Sequence, residues 1–535
     1  MSKIEEKIII TALEKKITGK EELNKLKRQV AGEFKLPPPP TSSLNQAYHK
    51  LLKIKKIKPN PDLQALLTRR AVRTLSGIAP VTVLTKPAPC PGRCVYCPTE
   101  ATMPKSYISN EPAAMRALLL RFDPYKQVFR RLQAFRDNGH PTDKIELIVK
   151  GGTWSAYDSK YKNHFIKRCF DAANDFNSVK KPSTNLVQAQ KRNERAKNRI
   201  IGITLETRPD WINPKELVTL REVGCTRVEL GVQSLDDNIL KLVKRGHYTD
   251  YVIYATHLLK DAGFKVDYHM MPGLPGSTPN KDIKMFKELF ADPRFRPDMI
   301  KIYPCVLLPN SELYEWWKKG RYKPYSEKTL IDTFVKIKSF IPRYVRISRL
   351  IRDFPAPDIQ AGSKVSNLRE LVQKEMARQG VKCKCLRCRE IGHNPKVDIS
   401  KIKPELFIDK YEASGGTEYF ISFEDAKRDY VLAFLRLRIP SPTNDAVLEV
   451  LPELKNCSLI RELHTYGHLV PLDQRLNAAA QHRGLGARLV KEAESISRKH
   501  NYERIAVISG VGVRGYYRKF GYKLRKTYML KNLLK

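Results

Sequence analysis

Cys90, Cys94 and Cys97 lie in the stretch CPGRCVYCPTE, three thiols at C-x3-C-x2-C spacing with Tyr96 directly before the third and proline and glycine turn residues between them. Thiolates suit soft and borderline metals, and three of them are one short of a closed tetrahedral site. A structural zinc would recruit a fourth ligand nearby, yet no histidine follows Cys97 until His140. An iron–sulfur cube held by three cysteines instead keeps one iron open to a substrate or cofactor. A structural zinc knuckle is the competing reading.

A second group, Cys383, Cys385 and Cys388, sits in VKCKCLRCREIGH with His393 five residues further on. Loops this short strain mutual disulfides, so the expectation is zinc on three thiolates with His393 or water as the fourth ligand; a second iron–sulfur cluster competes. Six of the ten cysteines fall in these two groups, and Cys169, Cys225, Cys305 and Cys457 are scattered. That usage predicts metal chemistry in a reducing compartment. No run of about eighteen apolar residues occurs, and the start MSKIEEKIIITALEKKITGK mixes acidic and basic residues rather than following a signal-peptide pattern. A cytoplasmic chain without membrane attachment is expected.

A third signal is QHRGLGARLVKEA, which places Gln481, Gly484 and Gly486 at Q-x-x-G-x-G spacing where a helix begins. Glycines let backbone amides approach a pyrophosphate, and a helix N-terminus adds a favourable dipole. A lone glycine pattern is weak. This one follows a strand-like run, RELHTYGHLVPL, and precedes another, RIAVISG, and then VRGYYRKFGY, where Tyr516 and Tyr517 are candidate catalytic groups.

These residues need a scaffold. From about 76 to 350, apolar runs alternate with helical stretches: VTVLT, IELIVKGG, IIGITLET, RVELGVQS, KVDYHMMPGLPG and MIKIYPCVLLPN. Strand then helix, repeated, predicts a parallel sheet or partial barrel whose site gathers at the carboxyl ends of the strands. Those ends supply Lys150, Gly151, Gly152 and Thr153, then Glu206 and Arg208, then Glu229 and Gln233. The insertion 180–199 is polar and basic and is expected to be exposed. Residues 351–410 form a cysteine-bearing linker, and from 411 to 535 longer strands with the helix LGARLVKEAESISRKH predict a separate α+β domain.

The chain carries 98 Lys and Arg against 56 Asp and Glu, a net charge of +42, and a pI of about 9.8. That excess points to a polyanionic partner, nucleic acid first; salt adaptation would favour acidic residues. Residues 1–75 read as helices broken by LPPPPTSS and hold 17 basic against 7 acidic residues, with KLLKIKKIK and TRRAVR as the densest stretches. They are the expected phosphate-binding face.

The aromatic-flanked cysteine motif and the strand-end glycine pair resemble the radical S-adenosylmethionine superfamily. The glycine loop between two strands resembles the GNAT acetyltransferase fold. Joined in one chain through a cysteine-rich linker, they resemble the Elongator catalytic-subunit family, as a stand-alone prokaryotic-type member; CPGRCVYCP, VKGGT, ETRPDW, ELGVQS, MMPGLPGST, CKCLRCREIG, GGTEYFISFED, RELHTYG, QHRGLG and ISGVGVRGYYRKFGY carry the likeness. The resemblance implies an α/β chain of radical SAM partial (β/α) barrel plus α+β GNAT domain, with basic N-terminal helices and a zinc-binding linker. It implies a tRNA enzyme that acts at the anticodon stem-loop and places a carboxymethyl group on C5 of the wobble uridine. Acetyl-CoA would be the carbon donor, and a 5′-deoxyadenosyl radical from S-adenosylmethionine would activate its methyl group.

By the same resemblance, Cys90, Cys94 and Cys97 hold a [4Fe–4S] cluster, Gly151 and Gly152 with Glu206 meet S-adenosylmethionine, and Lys150 contacts acetyl-CoA near the radical site. Glu462, Leu463, His464 and Thr465 line the acetyl-CoA cleft, Leu485, Gly486 and Ala487 hold the pyrophosphate, and Tyr517 stands near the thioester. Eukaryotic members space the first two cluster cysteines more widely. A homo-oligomer is compatible with this reading, and accessory subunits are not implied. The rival class is a protein lysine acetyltransferase, which needs a general base for an incoming amine, and no carboxylate in the GNAT segment is assignable to that role. Basic histone tails would also be repelled by this net charge.

Overall fold

In a computed structural model the described residues are 3–68, 77–177, 181–394, 397–398, 401–466 and 484–534. Four short helices open the chain: α1 (Lys3–Glu14), α2 (Lys20–Glu33), α3 (Thr41–Lys53) and α4 (Pro61–Leu67). Their apolar faces close on a small core of their own around Ile8, Leu44, Tyr48, Leu51 and Leu63, which leaves the lysines outside. Asn45 ties this bundle to the next domain by donating from Nδ2 to the backbone carbonyls of Arg136 and Asp137, both at 3.2 Å.

A seven-stranded parallel sheet follows, its strands in chain order: β1 (Ala79–Leu84), β2 (Lys144–Lys150), β3 (Arg199–Thr207), β4 (Arg227–Gln233), β5 (Lys265–Met270), β6 (Met299–Ile302) and β7 (Arg346–Arg349). The connecting helices start where the sequence marks them. Asp123, Asn213 and Thr278 cap helices whose first residue is Pro124, Pro214 or Pro279, because proline gives up no hydrogen bond there and the capping oxygen satisfies a free amide. One face of the sheet is apolar: Val81, Ile145, Leu147, Ile203, Leu205, Val228, Leu230, Val266 and Tyr268 pack with the helices in the main core. Buried parallel strands are usually apolar on both sides. Here the alternate residues of the same strands are Glu146, Lys150, Glu206, Arg227, Glu229, Asp267 and His269.

The second sheet runs β13-β14-β12-β11-β10-β9-β8, from β8 (Glu405–Ala413), β9 (Gly416–Glu424), β10 (Val431–Ile439), β11 (Cys457–Thr465), β12 (Arg504–Val507), β13 (Lys523–Arg525) and β14 (Tyr528–Asn532). All its pairings are antiparallel except β11 with β12. Helix Leu485–Lys499 covers one face with Leu489, Val490 and Ala493 against Ile421, Leu435 and Ile460. The opposite face sits on the amino-terminal end of the barrel. Phe420, Phe434, Leu459, Ala506, Ile508, Val511 and Tyr528 belong to the barrel's own core.

Charges are buried in that seam. Arg461 donates to Asp298 Oδ2 at 2.8 Å and from Nε to Glu418 Oε2 at 3.1 Å, Arg438 pairs with Asp261 at 2.6 Å, and Lys260 lies 3.5 Å from Glu418. Each of these side chains is at most 1% exposed.

Two expectations change. The stretch 180–199 contains helix Leu186–Asn193, with Ala189, Gln190 and Asn193 buried and Asn193 donating to Asn174 Oδ1 at 2.8 Å, so one side of it packs while Lys181, Lys191, Arg195 and Lys197 face solvent. The second sheet begins at Glu405, inside the span read as linker, and the linker's Leu368, Val372, Met376 and Leu386 pack into the main core.

Candidate active site

The cysteine loop leaves β1 and crosses the carboxyl ends of the strands. Arg245, buried after β4, points Nη1 at Cys94 Sγ from 3.5 Å and donates Nη2 to the Gly231 carbonyl. Hydrogen bonding with Cys97, supported by the Arg245 charge, holds the Cys94 thiol well below its ordinary pKa against the opposing effect of burial. Cys90 lies toward Thr153, 3.9 Å from its hydroxyl. Cys97 and Arg245 thus both favour the thiolate form of Cys94, the form that binds a cationic centre.

Lys150 closes β2 on the concave face. Its ammonium contacts Glu229 and lies 3.5 Å from Glu206. His269 bridges the same carboxylates, Nδ1 to Glu206 at 3.3 Å and Nε2 to Glu229 at 3.0 Å, and Lys301 also contacts Glu229. Tyr107 donates to Glu206 at 2.7 Å. Burial works against ionisation of Glu206, but Lys150 and His269 outweigh it and hold its carboxyl well below the usual range. Immediately after Lys150, Gly151 and Gly152 take φ of +133° and +91°, and a Cβ on Gly151 would overlap the Thr85 hydroxyl. Only glycines fit.

Three buried polar atoms near this rim have no hydrogen-bond partner: Tyr96 Oη, Arg208 Nη1 and Gln233 Oε1. Gln233 is held at φ +73°, a strained setting for a non-glycine residue. Unsatisfied donors and acceptors beside a thiol loop fit a ligand that carries both amino and carboxylate groups.

Cys383, Cys385 and Cys388 bring their sulfurs within 4.8 Å of one another, the spacing a single tetrahedral ion needs. Among the described residues no other three such ligands meet it, so Cys90, Cys94 and Cys97 are held further apart. His393 stands outside the group and turns Nε2 to Glu390 at 3.4 Å. The side chain that does approach is Lys338, with Nζ 3.7 Å from Cys388 Sγ. Leu386 donates its amide to Val345 at 2.8 Å, pinning the thiol knuckle beside β7.

In the second sheet, β11 and β12 pair only from Cys457 to Ile460 against Arg504 to Val507. Beyond this, β11 leaves β12 and continues through Glu462, Leu463, His464 and Thr465 paired with β10 alone. Helix Leu485–Lys499 starts at the fork: Gly484 caps it at φ +69°, Leu485 is buried, and Ala487 follows half-buried. A Cβ on Gly486 would lie 2.6 Å from Tyr516 Oη and 3.7 Å from Thr465 Cγ2, so this glycine lets three expected site residues converge. Tyr517 is buried edge-on to Tyr516, ring centroids 5.4 Å apart. Gln481 lies outside the described residues. Glu462 accepts from Arg436 Nε at 2.9 Å and lies 3.5 Å from Lys265; against burial, Lys265 and Arg436 bring its pKa down to about 2. His464 stacks on Phe434 and meets Tyr466 at a tilt, and burial lowers its pKa.

Lys150 stands apart from this second group, its ion-pair partners all on the barrel. The residues that motif reading missed are His269, Lys301, Tyr107, Arg245 and Lys265. His269 stands two positions after Asp267, a partial signal in its own run, whereas Lys301 lies between Met299 and Tyr303 on its face and joins the group only through pairing of β5 with β6.

A half-barrel of parallel strands with a thiol loop and a glycine pair at its carboxyl end defines a radical SAM protein: residues 89–289 match the Radical SAM superfamily and residues 297–378 the Radical SAM C-terminal domain. The chain is 48% identical over 482 residues to the tRNA uridine(34) acetyltransferase of Methanocaldococcus infernus, covering 88% of each. It is 39% identical over 537 residues to Elongator complex protein 3 of Homo sapiens, covering 96% of this chain and 93% of the other. The solved archaeal Methanocaldococcus infernus Elp3 with its N-terminus deleted superposes with a TM-score of 0.73 at 44% identity, covering 86% of this chain and all of that one. The chain belongs to the family of tRNA uridine(34) acetyltransferase and Elongator complex protein 3.

Proposed function

We propose that this chain is an acyltransferase that modifies uridine 34 of tRNA, the wobble base, with acetyl-CoA as the carbon donor. The observation that carries the reading is the union of a thiol-loop rim and a glycine-capped acyl fork on one shared core. Cys90, Cys94 and Cys97 would hold a [4Fe–4S] cluster and Gly151, Gly152 and Glu206 its S-adenosylmethionine, which together would supply hydrogen abstraction from a carbon as unreactive as a methyl group.

The protein's own groups do the rest. Arg245 offsets the charge of the thiolates. Lys150, with Glu206, Glu229 and His269, fixes the charge and orientation of what lies on the rim. Gly484 to Ala487 present the amides of a helix N-terminus to a pyrophosphate, Glu462 to Thr465 line the arm that follows, and Tyr517, with Tyr516 beside it, offers a hydroxyl to the thioester. Residues 1–75 supply lysines for the anticodon stem-loop, residues 76–350 the radical domain, the following linker one zinc at Cys383, Cys385 and Cys388, and the second sheet the acyl site. No described helix is long and apolar enough to cross a membrane, and a tRNA substrate places the chain in the cytoplasm.

The lysine acetyltransferase alternative asks for a base beside the acyl group. Glu462 is the carboxylate there, and with its pKa at about 2 and both partners cationic it is a poor proton acceptor. The test is methyl-labelled acetyl-CoA supplied with S-adenosylmethionine, reductant and tRNA to the reconstituted holoenzyme. Label is expected in carboxymethyluridine from digested tRNA and is lost in Cys94→Ser. Label on protein lysines with none on uridine overturns the reading.

A further inference from the structure

The two sites lie at opposite ends of the barrel, and what separates them is a polar surface. Strand pairing orders that surface in layers. Thr204, Arg227 and Lys265 are in register, and two residues further along the strands Glu206, Glu229 and Asp267 are in register; His269 with Lys301 form the next layer. Side chains from strands that are not neighbours touch, Lys150 of β2 with Glu229 of β4 and Glu206 of β3 with His269 of β5, so these residues share the concave face. At about 3.3 Å per residue, the face spans roughly 7–13 Å from the Lys265 layer to the rim.

The floor of this face is the acyl fork. Lys265 lies 3.5 Å from Glu462, and Arg346 of β7 donates to Tyr466 Oη at 3.0 Å. Strands β11 and β12 part just before Glu462, and Glu462, beyond the parting, meets Lys265 at the start of β5. Along the face, polar atoms are buried without hydrogen-bond partners: His464 Nε2 at the floor, then Arg227 Nε, then both carboxylate oxygens of Asp267 and Oε1 of Glu229. Asp267 and Glu229 are fully buried. These five atoms lie in file along one face, where buried polar groups are ordinarily paired, and they fit a face that takes up polar guests. Burial raises the Asp267 pKa, which suits a neutral guest.

We propose that the concave face of the half-barrel is the route by which the acyl thioester arm crosses from the fork at Glu462 to the rim at Lys150, with Asp267 lining its midpoint. The inference rests on the acetyl-CoA reading above and adds to it a path: the arm's amides and thioester carbonyl would meet Arg227, Asp267 and Glu229 in turn.

Bromoacetyl-CoA tests the path, because its electrophilic carbon stands where the acetyl methyl stands. A thiolate displaces bromide from that carbon and forms a thioether, with the CoA thioester intact. In the reconstituted holoenzyme of Asp267→Cys, and separately of Thr204→Cys, peptide mass spectrometry is expected to find this adduct at the introduced cysteine. Its rate should fall at least tenfold under saturating acetyl-CoA, and iodoacetamide serves as the control for access. Labelling by iodoacetamide but not by bromoacetyl-CoA overturns the route, and so does a cysteine that neither reagent reaches. Binding of acetyl-CoA is measured alongside by calorimetry: if it is absent altogether, the acetyl-CoA reading has failed, and if it is intact without alkylation, only the route has. Should one variant not fold, the other decides.

Discussion

Lys150 reaches past β3 to pair with Glu229 on β4, so a cation and an anion from strands that share no hydrogen bond meet inside the barrel. Glu229 also serves Lys301 and His269, which makes one carboxylate the counter-charge for the whole rim. Its ionisation is favoured by Lys150 and Lys301 against the cost of complete burial.

Glu229→Gln should therefore destabilise the protein by about 3–5 kcal/mol, since it strands the buried Lys301 ammonium and leaves Lys150 with Glu206 alone. Urea unfolding of the two proteins measures it. A loss under about 1 kcal/mol would mean that water already screens the cluster.

The acyl fork makes a separate prediction. Tyr517→Phe removes one buried hydroxyl and no charge, so tRNA-stimulated hydrolysis of acetyl-CoA should fall at least tenfold while tRNA affinity stays within about twofold. Equal activity in the variant would assign the thioester contact to Tyr516.

Metal analysis should find one zinc per chain, lost in the Cys383→Ser, Cys385→Ser, Cys388→Ser protein and retained in His393→Ala, because His393 faces Glu390 and not the thiols. Zinc lost with His393 would show that the loop rearranges on binding.

Deleting residues 1–75 should weaken tRNA binding and flatten the dependence of log affinity on log salt, because each lysine contact to a phosphate releases counterions. An unchanged slope would show that the basic helices only face solvent.

Acid stability follows from Glu462. Its pKa falls from 4.5 to about 2 on folding, so the unfolded chain binds the proton more tightly and the carboxylate contributes stability above pH 4.5 that disappears as pH drops through 2. The shift corresponds to about 3 kcal/mol. Glu462→Gln should flatten the unfolding free energy over that window, and a parallel curve for both proteins would contradict the pairing with Arg436 and Lys265.

Much of this was legible in the residues. The two thiol groups announced themselves by spacing alone, since a ligand set in one short loop is a local fact. The six apolar runs from VTVLT to MIKIYPCVLLPN became β1 to β6. β7 was not legible because RISR is four residues long and half arginine. β8 was not because ELFIDKYEA is an edge strand with Leu406 and Ile408 exposed, so no buried face wrote itself into the pattern. His269 and Lys301 escaped because their meaning depends on register between strands, which no single run carries. His393 was misleading for the opposite reason: proximity along the chain suggested a ligand, and the turn at Glu390 aims it elsewhere.

The seam of Arg461, Arg438, Asp298, Asp261 and Glu418 bears on how such a protein can change over time. Arg461 pairs across the joint with Asp298 and Arg438 with Asp261, and Glu418 serves both guanidinium groups from within the second sheet, so exchanging either half for a homologous module without the matching charges would leave buried groups short of a partner. A graft that carried the second sheet alone would leave Glu418 as the one acid shared by two buried guanidinium groups, with Asp298 and Asp261 left behind. A swap at this joint would therefore carry an electrostatic cost that a purely apolar interface would not impose.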